Sequence, residues 1–285
     1  MDEKMYNRIY TGKIELAVLD MAGTYCDGPS DLRHRWPLDD KRGCKAPVIP
    51  FYEVLLDFGV ELSWEEIRKP MGEYKPTHLR MLMELPEFKE QWQAKHKRPW
   101  NEEDFDKILA AYRPLVAKYM LDEDLAKPID GAMECVEALR EAEIVVGCDT
   151  GYYAEDSRKL NKLLEDKYGI HFDVASNAEK VPGRPAPFMI FDCMLQAYQL
   201  NKKAIPVESV VKLDDTAVGM LCGHNAGCWT IGLYATGSNS YKELAASKPD
   251  FLVPSIKYVP EIIFGQIEPR LRRGERPGMG LIETI

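Results

Sequence analysis

The sequence predicts an α/β protein: a parallel sheet flanked by helices, with a separate helical segment inserted after the first strand. Three observations lead there. Short apolar runs rich in strand formers recur along the chain and alternate with helix-length stretches, which requires crossover connections and therefore parallel strands. From about Val48 to Leu125 no such run occurs and the patterns are helical instead. At 285 residues and 45% hydrophobic composition, the chain is long enough for a core domain with a smaller one beside it.

The first run, Ile14 to Leu19, ends at Asp20 and is followed by Gly23, so a buried strand empties into a loop with an acid at its carboxyl end. A polar stretch from Thr24 to Gly43 follows, with Arg33, His34, Arg35, Asp39, Asp40, Lys41 and Arg42. It would reshape access to a site or serve an oligomer contact. The inserted segment shows helical patterns at Phe51 to Leu56 and at Phe105 to Tyr112, and Pro70, Pro76, Pro86, Pro99 and Pro114 divide it into short helices.

A helix-like stretch, Gly131 to Glu141, leads into the second strand, Ile144 to Cys148, just before Thr150. A third strand, Ser209 to Leu213, runs into Asp214 and Asp215. Cys228 to Leu233 and Phe251 to Val253 read as two more, and the tail from Gln266 to Ile285, with its arginines and glycines, reads as extended or loosely packed. The boundaries expected are residues 1–47 with 126–265 for the α/β core, 48–125 for the helical insertion and 266–285 for the tail. In such sheets ligands lie beyond the carboxyl ends of the strands, where Asp20, Thr150 and Asp215 all fall.

The formal charge of −9, with 46 acidic against 37 basic residues, argues against a nucleic-acid binder, since phosphate backbones are held chiefly by Lys and Arg. That leaves a small substrate or a protein partner; no apolar run approaches the roughly 20 residues of a membrane helix, and Met1 to Lys4 lacks a signal-peptide pattern, so a soluble cytoplasmic protein is expected. The seven cysteines are scattered, and neither Cys44 with Cys148 nor Cys222 with Cys228 has zinc-knuckle spacing; free thiols are expected.

Asp20-Met21-Ala22-Gly23-Thr24 behind a buried strand is the most informative motif. A carboxylate there can attack phosphorus to give an aspartyl phosphate, dividing one difficult displacement into two easier ones. The same residues would equally serve a plain turn, the acid capping it and the glycine supplying positive φ.

The motif resembles the haloacid dehalogenase (HAD) superfamily, whose first motif is Asp-x-x-Gly-Thr after the first strand. With the run from Arg68 to His78, Thr150-Gly151-Tyr152, Gly183-Arg184-Pro185, Lys212 to Thr216 and Asn225 to Thr230, the chain is similar to the phosphonoacetaldehyde hydrolase (phosphonatase) family from about Ile14 to Tyr241. The resemblance implies a HAD-like Rossmannoid core with a helical cap, and Asp20 as the nucleophile.

It further implies that Lys75 forms a Schiff base with the aldehyde of phosphonoacetaldehyde, so that the carbon–phosphorus bond breaks with its electrons held as an enamine. His78 would assist proton transfer and would share a helix face with Lys75 if the chain is helical there, which Pro76 leaves open. Thr150 and Arg184 match the groups that hold the phosphoryl oxygens. Ala22, Gly23, Cys44, Met71, Gly151 and Tyr152 match positions lining the pocket; the plain reading of Met71 is packing. Most phosphatases of the superfamily carry an acid where Ala22 stands, to protonate an oxygen leaving group, and its absence suits a carbon leaving group.

Mg2+ is the implied cofactor, held by Asp20, Asp215 and the Ala22 carbonyl. Where the relatives read Gly-Asp-Thr-x-x-Asp, this chain has Asp214 to Gly219, so an acid is missing at Gly219 and Asp214 is the candidate to compensate. The function expected is hydrolysis of phosphonoacetaldehyde to acetaldehyde and phosphate by a homodimer joined through the cap. The alternatives are a phosphatase for another phosphorylated small molecule, with Lys75 as a charge clamp, and a weakly active homologue kept for binding or regulation.

Overall fold

The computed structural model describes residues 12–36, 40–278 and 283–284. The Met1 to Lys4 segment, Asp39 and positions 279–282 and 285 of the tail lie outside them.

Strand β1, Leu16–Leu19, is only four residues long and wholly buried. It is central because both edges are used: Leu16 pairs in register with Val145 on one side and with Val210 on the other. The other strands are β2 (Val145–Thr150), β3 (Val174–Asn177), β4 (Val210–Asp214), β5 (Trp229–Leu233), β6 (Phe251–Val253) and the two-residue β7 (Glu283–Thr284). They form one parallel sheet in the order β3-β2-β1-β4-β5-β6-β7. Side chains alternate between faces along β1: Ala17 and Leu19 join the large core on one face, and Leu16 and Val18 join Ile190, Cys193 and Cys222 on the other.

Six helices stand between β1 and β2, and the first five make up the insertion: α1 (Val48–Asp57), α2 (Trp64–Arg68), α3 (Lys75–Met83), α4 (Pro86–His96) and α5 (Glu102–Met120). Ser63 with Glu66 and Asn101 with Asp104 form capping boxes that start α2 and α5, satisfying first-turn amides. Pro76 and Pro86 lie in first turns, where a missing N–H costs nothing. Pro114 departs from expectation by standing inside α5. An interior proline costs about 3 kcal/mol, but α5 is 19 residues long and buries Phe105, Ile108, Tyr112, Val116, Tyr119 and Met120; at about 1.5–3 kcal/mol per large apolar side chain, packing outweighs the penalty.

The remaining helices are α6 (Ala132–Glu141), α7 (Ala154–Tyr168), α8 (Phe188–Asn201), α9 (Ala217–Ala226), α10 (Tyr241–Ala246), α11 (Val259–Ile262) and α12 (Glu268–Arg272). A single wide turn, Ile263–Ile267, joins the last two. The expected loose tail is thus helical as far as Arg272. Ile256, Val259, Ile262, Ile263, Ile267 and Leu271 carry a buried stripe past residue 266, and Glu268 accepts the Ile14 amide at 3.3 Å, tying the tail to the root of β1. One apolar cluster runs from the sheet (Leu19, Val146, Leu213) into the inserted helices (Phe51, Val54, Ile108, Tyr112). All seven cysteines are free and buried. No helix among the described residues is long and apolar enough to cross a membrane.

Candidate active site

Because β1, β2 and β4 are adjacent and parallel, their carboxyl ends bring Asp20, Asp149, Thr150, Asp214 and Asp215 to one edge of the sheet. The Asp20 amide continues the ladder, donating to Leu213 O at 3.0 Å, and the chain then folds tightly, the amides of Thr24, Tyr25 and Cys26 all converging on Met21 O. Gly23 has φ of +87°, and a Cβ there would stand 2.7 Å from the Asp215 carboxyl carbon, so the turn needs glycine both for its conformation and for the approach of that acid.

Above this edge lies a small cavity with about 280 Å³ of empty space. Asp20, Thr150 and Arg184 line it from the sheet side, and Lys75, at the first position of α3, lines it from the inserted helices. Ala22, Cys44, Met71, Gly151 and Tyr152 complete the walls as expected; Gly72, Pro47 and Thr216 join them without having been singled out. The amine and the acid therefore open onto one space. The insertion is seated closely: a Cβ on Gly151 would come 2.6 Å from Glu73 O, and one on Gly72 2.6 Å from Val218.

Lys75 is 3% exposed, with Nζ 4.9 Å from the centre of the Tyr152 ring. Burial, aided by the Arg184 charge and resisted by Cys44, Asp20 and Glu73, brings its pKa down to about 8. Asp20 is pushed up to about 6 by burial, against the pull of Arg184. The Thr150 hydroxyl oxygen accepts the Tyr152 amide at 3.2 Å, leaving its proton free for a ligand in the cavity.

His78 does not line the cavity. Helix α3 is regular despite Pro76, so His78 lies one turn from Lys75, but its ring packs against Phe51, tilted by 33° with centres 4.3 Å apart, and Nε2 is 2.8 Å from Ile67 O. A carbonyl only accepts, so Nε2 carries the proton and Nδ1, which has no partner, keeps a bare lone pair. Burial, with the neighbouring Lys75 charge, holds the imidazole neutral.

The acids divide into two groups. Oxygens of Asp20, Asp149 and Asp214 gather within 4.8 Å of one another, a spacing suited to a metal ion. Two basic side chains already stand among them. Arg184 Nη2 is 2.5 Å from Asp20 Oδ1 and 2.6 Å from Asp149 Oδ1, and Lys212 Nζ is 2.5 Å from Asp149 and 2.9 Å from Asp214. Thr216 donates its N–H and its hydroxyl to Asp214 Oδ1, while Oδ2 is held by the Lys212 ion pair.

Asp215 differs. It is fully buried and receives the Ser238 amide at 2.7 Å, Thr24 Oγ1 at 3.3 Å and Cys44 Sγ at 3.5 Å, with no basic side chain paired to it among the described residues. Burial, then repulsion from Asp20 and Asp214, drives its pKa well above the ordinary carboxylate value. An acid so placed stays ionised only beside a cation, and the oxygen donors around it, the Asp20 carboxylate and the Ala22 carbonyl, which takes the Cys44 thiol proton at 2.6 Å, suit a hard one.

The polar stretch after Thr24 folds back on the inserted helices. Arg35 pairs with Asp122 at 2.5 Å just past α5, and Asp40 receives Arg68 of α2 at 2.8 Å. Arg68 also donates to Gly43 O at 2.7 Å, which holds Cys44, in a left-handed conformation, against Ala22. Sequence reasoning assigns no role to Asp149, and Lys212 enters it only as part of a motif, although a charged residue inside each of two otherwise apolar strand runs is the signal.

A sequence profile of haloacid dehalogenase-like hydrolases matches residues 58–233. The chain is 33% identical over 291 residues to a phosphonoacetaldehyde hydrolase from Vibrio parahaemolyticus, covering 93% of this chain and 98% of that one. It is 32% identical over 242 residues to one from Parabacteroides distasonis, covering 84% and 81%. Among solved structures, a phosphonoacetaldehyde hydrolase-like protein from Oleispira antarctica superposes with a TM-score of 0.81 at 24% identity over 95% of this chain and 98% of that one. A β-phosphoglucomutase from Clostridium difficile reaches 0.64 at 13% identity over 92% and 98%, which speaks for the fold alone. The chain belongs to the haloacid dehalogenase-like hydrolases, as a hydrolase of the phosphonatase type.

Proposed function

We propose that this enzyme hydrolyses phosphonoacetaldehyde to acetaldehyde and phosphate, with Lys75 capturing the aldehyde and Asp20 the phosphoryl group. The observation that carries the reading is the shared cavity: a buried amine from the inserted helices and a buried carboxylate from the sheet line the same small space. A free carbanion is a hopeless leaving group in water, so cleavage of carbon from phosphorus calls for an electron sink on one side and a nucleophile on the other.

The neutral amine of Lys75 adds to the aldehyde carbon and water leaves, giving an iminium. With a pKa of about 8, roughly 10% of Lys75 is neutral at pH 7, against about 0.03% for a lysine at 10.5. The bare Nδ1 of neutral His78, one helical turn away, suits it to take up the proton released as nitrogen adds. Asp20 then attacks phosphorus in line, and the carbon–phosphorus electrons pass into the iminium to give an enamine. Protonation at carbon and hydrolysis release acetaldehyde and restore Lys75. Water attacks the aspartyl phosphate and frees phosphate.

Thr150 and Arg184 serve the phosphoryl oxygens as charge spreads over them. Asp20, Asp215 and the Ala22 carbonyl are the residues that would hold Mg2+, which when bound neutralises charge on the phosphoryl group. Ala22 supplies no acid, in keeping with a leaving group that needs no proton on oxygen.

Borohydride added during turnover should trap the Schiff base as a secondary amine, and peptide mass mapping should place it on Lys75. If Lys75→Ala retains full turnover, the reading fails.

A further inference from the structure

The proposed chemistry leaves the buried charge cluster behind the cavity unexplained. Asp149, Asp214 and Lys212 are each 0% exposed at the side chain and Arg184 is 1%. Arg184 spans the cluster: Nη2 touches Asp20, Asp149 Oδ1 and Asp149 O, the last at 3.0 Å, and Nη1 stands 3.5 Å from Asp214 Oδ2. Lys212 bridges Asp149 to Asp214 from below. Charges withdrawn this far from water hold one another in place, because each that lost its partner would be left unsolvated.

Asp214 depends on an empty neighbour. A Cβ on Gly219 would stand 2.0 Å from Asp214 Cγ and 2.1 and 2.4 Å from its two oxygens. Those contacts are far inside van der Waals distance, so this carboxylate and any side chain at 219 exclude each other. From the other side Thr216 pins Asp214 Oδ1 with its amide at 2.9 Å and its hydroxyl at 2.6 Å. The carboxylate at 214 therefore fills the volume in which a side chain at 219 would begin.

We propose that Asp149 and Asp214, cross-linked by Lys212, are positioning residues that hold Arg184 over the phosphoryl site, and that residue 219 is glycine because the Asp214 carboxylate needs its side-chain volume. This rests on the reading of Asp20 as the phosphoryl acceptor. When an Asp20 oxygen bonds to phosphorus, the carboxylate gives up its charge and its grip on the guanidinium weakens. Asp149 and Asp214 do not change, so Arg184 stays where the transferred oxygens arrive. Were it held by Asp20 alone, the guanidinium would shift during each turnover.

Asp149→Asn and Asp214→Asn, both close in shape to the parent, separate positioning from plain charge. Removing a negative charge beside an anion site would by itself tighten phosphate and leave kcat unchanged. Loss of positioning should lower kcat at least tenfold while KM, and the calorimetric Kd for inorganic phosphate, stay within about threefold. Gly219→Ala should reproduce the loss seen in Asp214→Asn, and in an Asp214→Gly background it should change neither Tm nor kcat further.

Values of kcat within twofold of the parent in both asparagine variants would overturn the proposal. So would a Gly219→Ala penalty undiminished by Asp214→Gly. If instead the parent does not turn over phosphonoacetaldehyde, the substrate reading fails on its own, because phosphate binding and the 214/219 stability cycle are read without that substrate.

Discussion

Replacing Lys75 with methionine, which keeps the length and bulk of the side chain, should abolish turnover and stabilise the protein at neutral pH. A lysine whose pKa falls from 10.5 to about 8 on folding is charged in both states below pH 8, but its charge is disfavoured in the folded one. At about 1.4 kcal/mol per pH unit the cost to the fold is about 3 kcal/mol. The face of Tyr152, 4.9 Å from Nζ, returns about 0.5–2 kcal/mol of it as a cation–π contact. The variant should therefore gain about 1–3 kcal/mol at pH 7.

The sign of the pH dependence is fixed by the direction of the shift. The penalty is complete below pH 8, fades as the folded-state amine loses its proton, and is gone above pH 10.5, where both states are neutral. Urea unfolding of parent and variant at pH 7 and pH 10.5, extrapolated to water, measures the difference. Equal stabilities at pH 7, or a gap of the same size at both pH values, would show that the amine is not held in a desolvated state and would remove the reason for its reactivity.

Turnover under subsaturating substrate should rise with pH and level off near pH 8 as Lys75 loses its proton, with a further loss below about pH 6 where Asp20 becomes protonated; a profile flat from pH 6 to 9 would contradict both assignments. His78→Gln, which removes the base but keeps a polar group against Ile67 O, should lower kcat by about 10²–10⁴, and borohydride trapping at Lys75 should slow in step; an unchanged trapping rate would restrict His78 to packing against Phe51. Ala22→Asp should raise hydrolysis of simple alkyl phosphates over the parent and depress that of the phosphonate. No gain on the esters would mean that the missing acid does not set the leaving group.

Much of the sheet was legible because strands buried on both faces are written as plain apolar runs. Leu16 to Leu19 and Phe251 to Val253 have no exposed face to encode. Strand β3 was not legible: Val174–Asn177 alternates buried with exposed or half-buried positions, and four residues with a polar end fall below any periodic signal. The helical tail is hidden in the sequence because Arg270, Arg272 and Arg273 enclose the buried Leu271 and follow close on the buried Ile267. At the site, motif positions led to Asp20, Lys75, Thr150 and Arg184, all of which line one cavity. They did not reveal that His78 stands outside the cavity with its ring against Phe51, nor that Asp149 and Lys212 share the Arg184 network, which follows from how three strands align.

The crowding around Asp215 divides labour along the chain. Added side chains at Gly23 and Gly237 would reach the Asp215 carboxyl group at 2.7 Å and 2.1 Å respectively, so neither position tolerates a change that leaves the acid where it is. The sheet edge is in this sense a closed design, with no adjustable parts around the acid. Walls drawn from elsewhere, such as Met71 on the inserted segment and Tyr152 after β2, are large side chains that can be cut back without touching the acid, and alteration of substrate preference, whether by natural drift or in the laboratory, starts more readily on that side of the cavity.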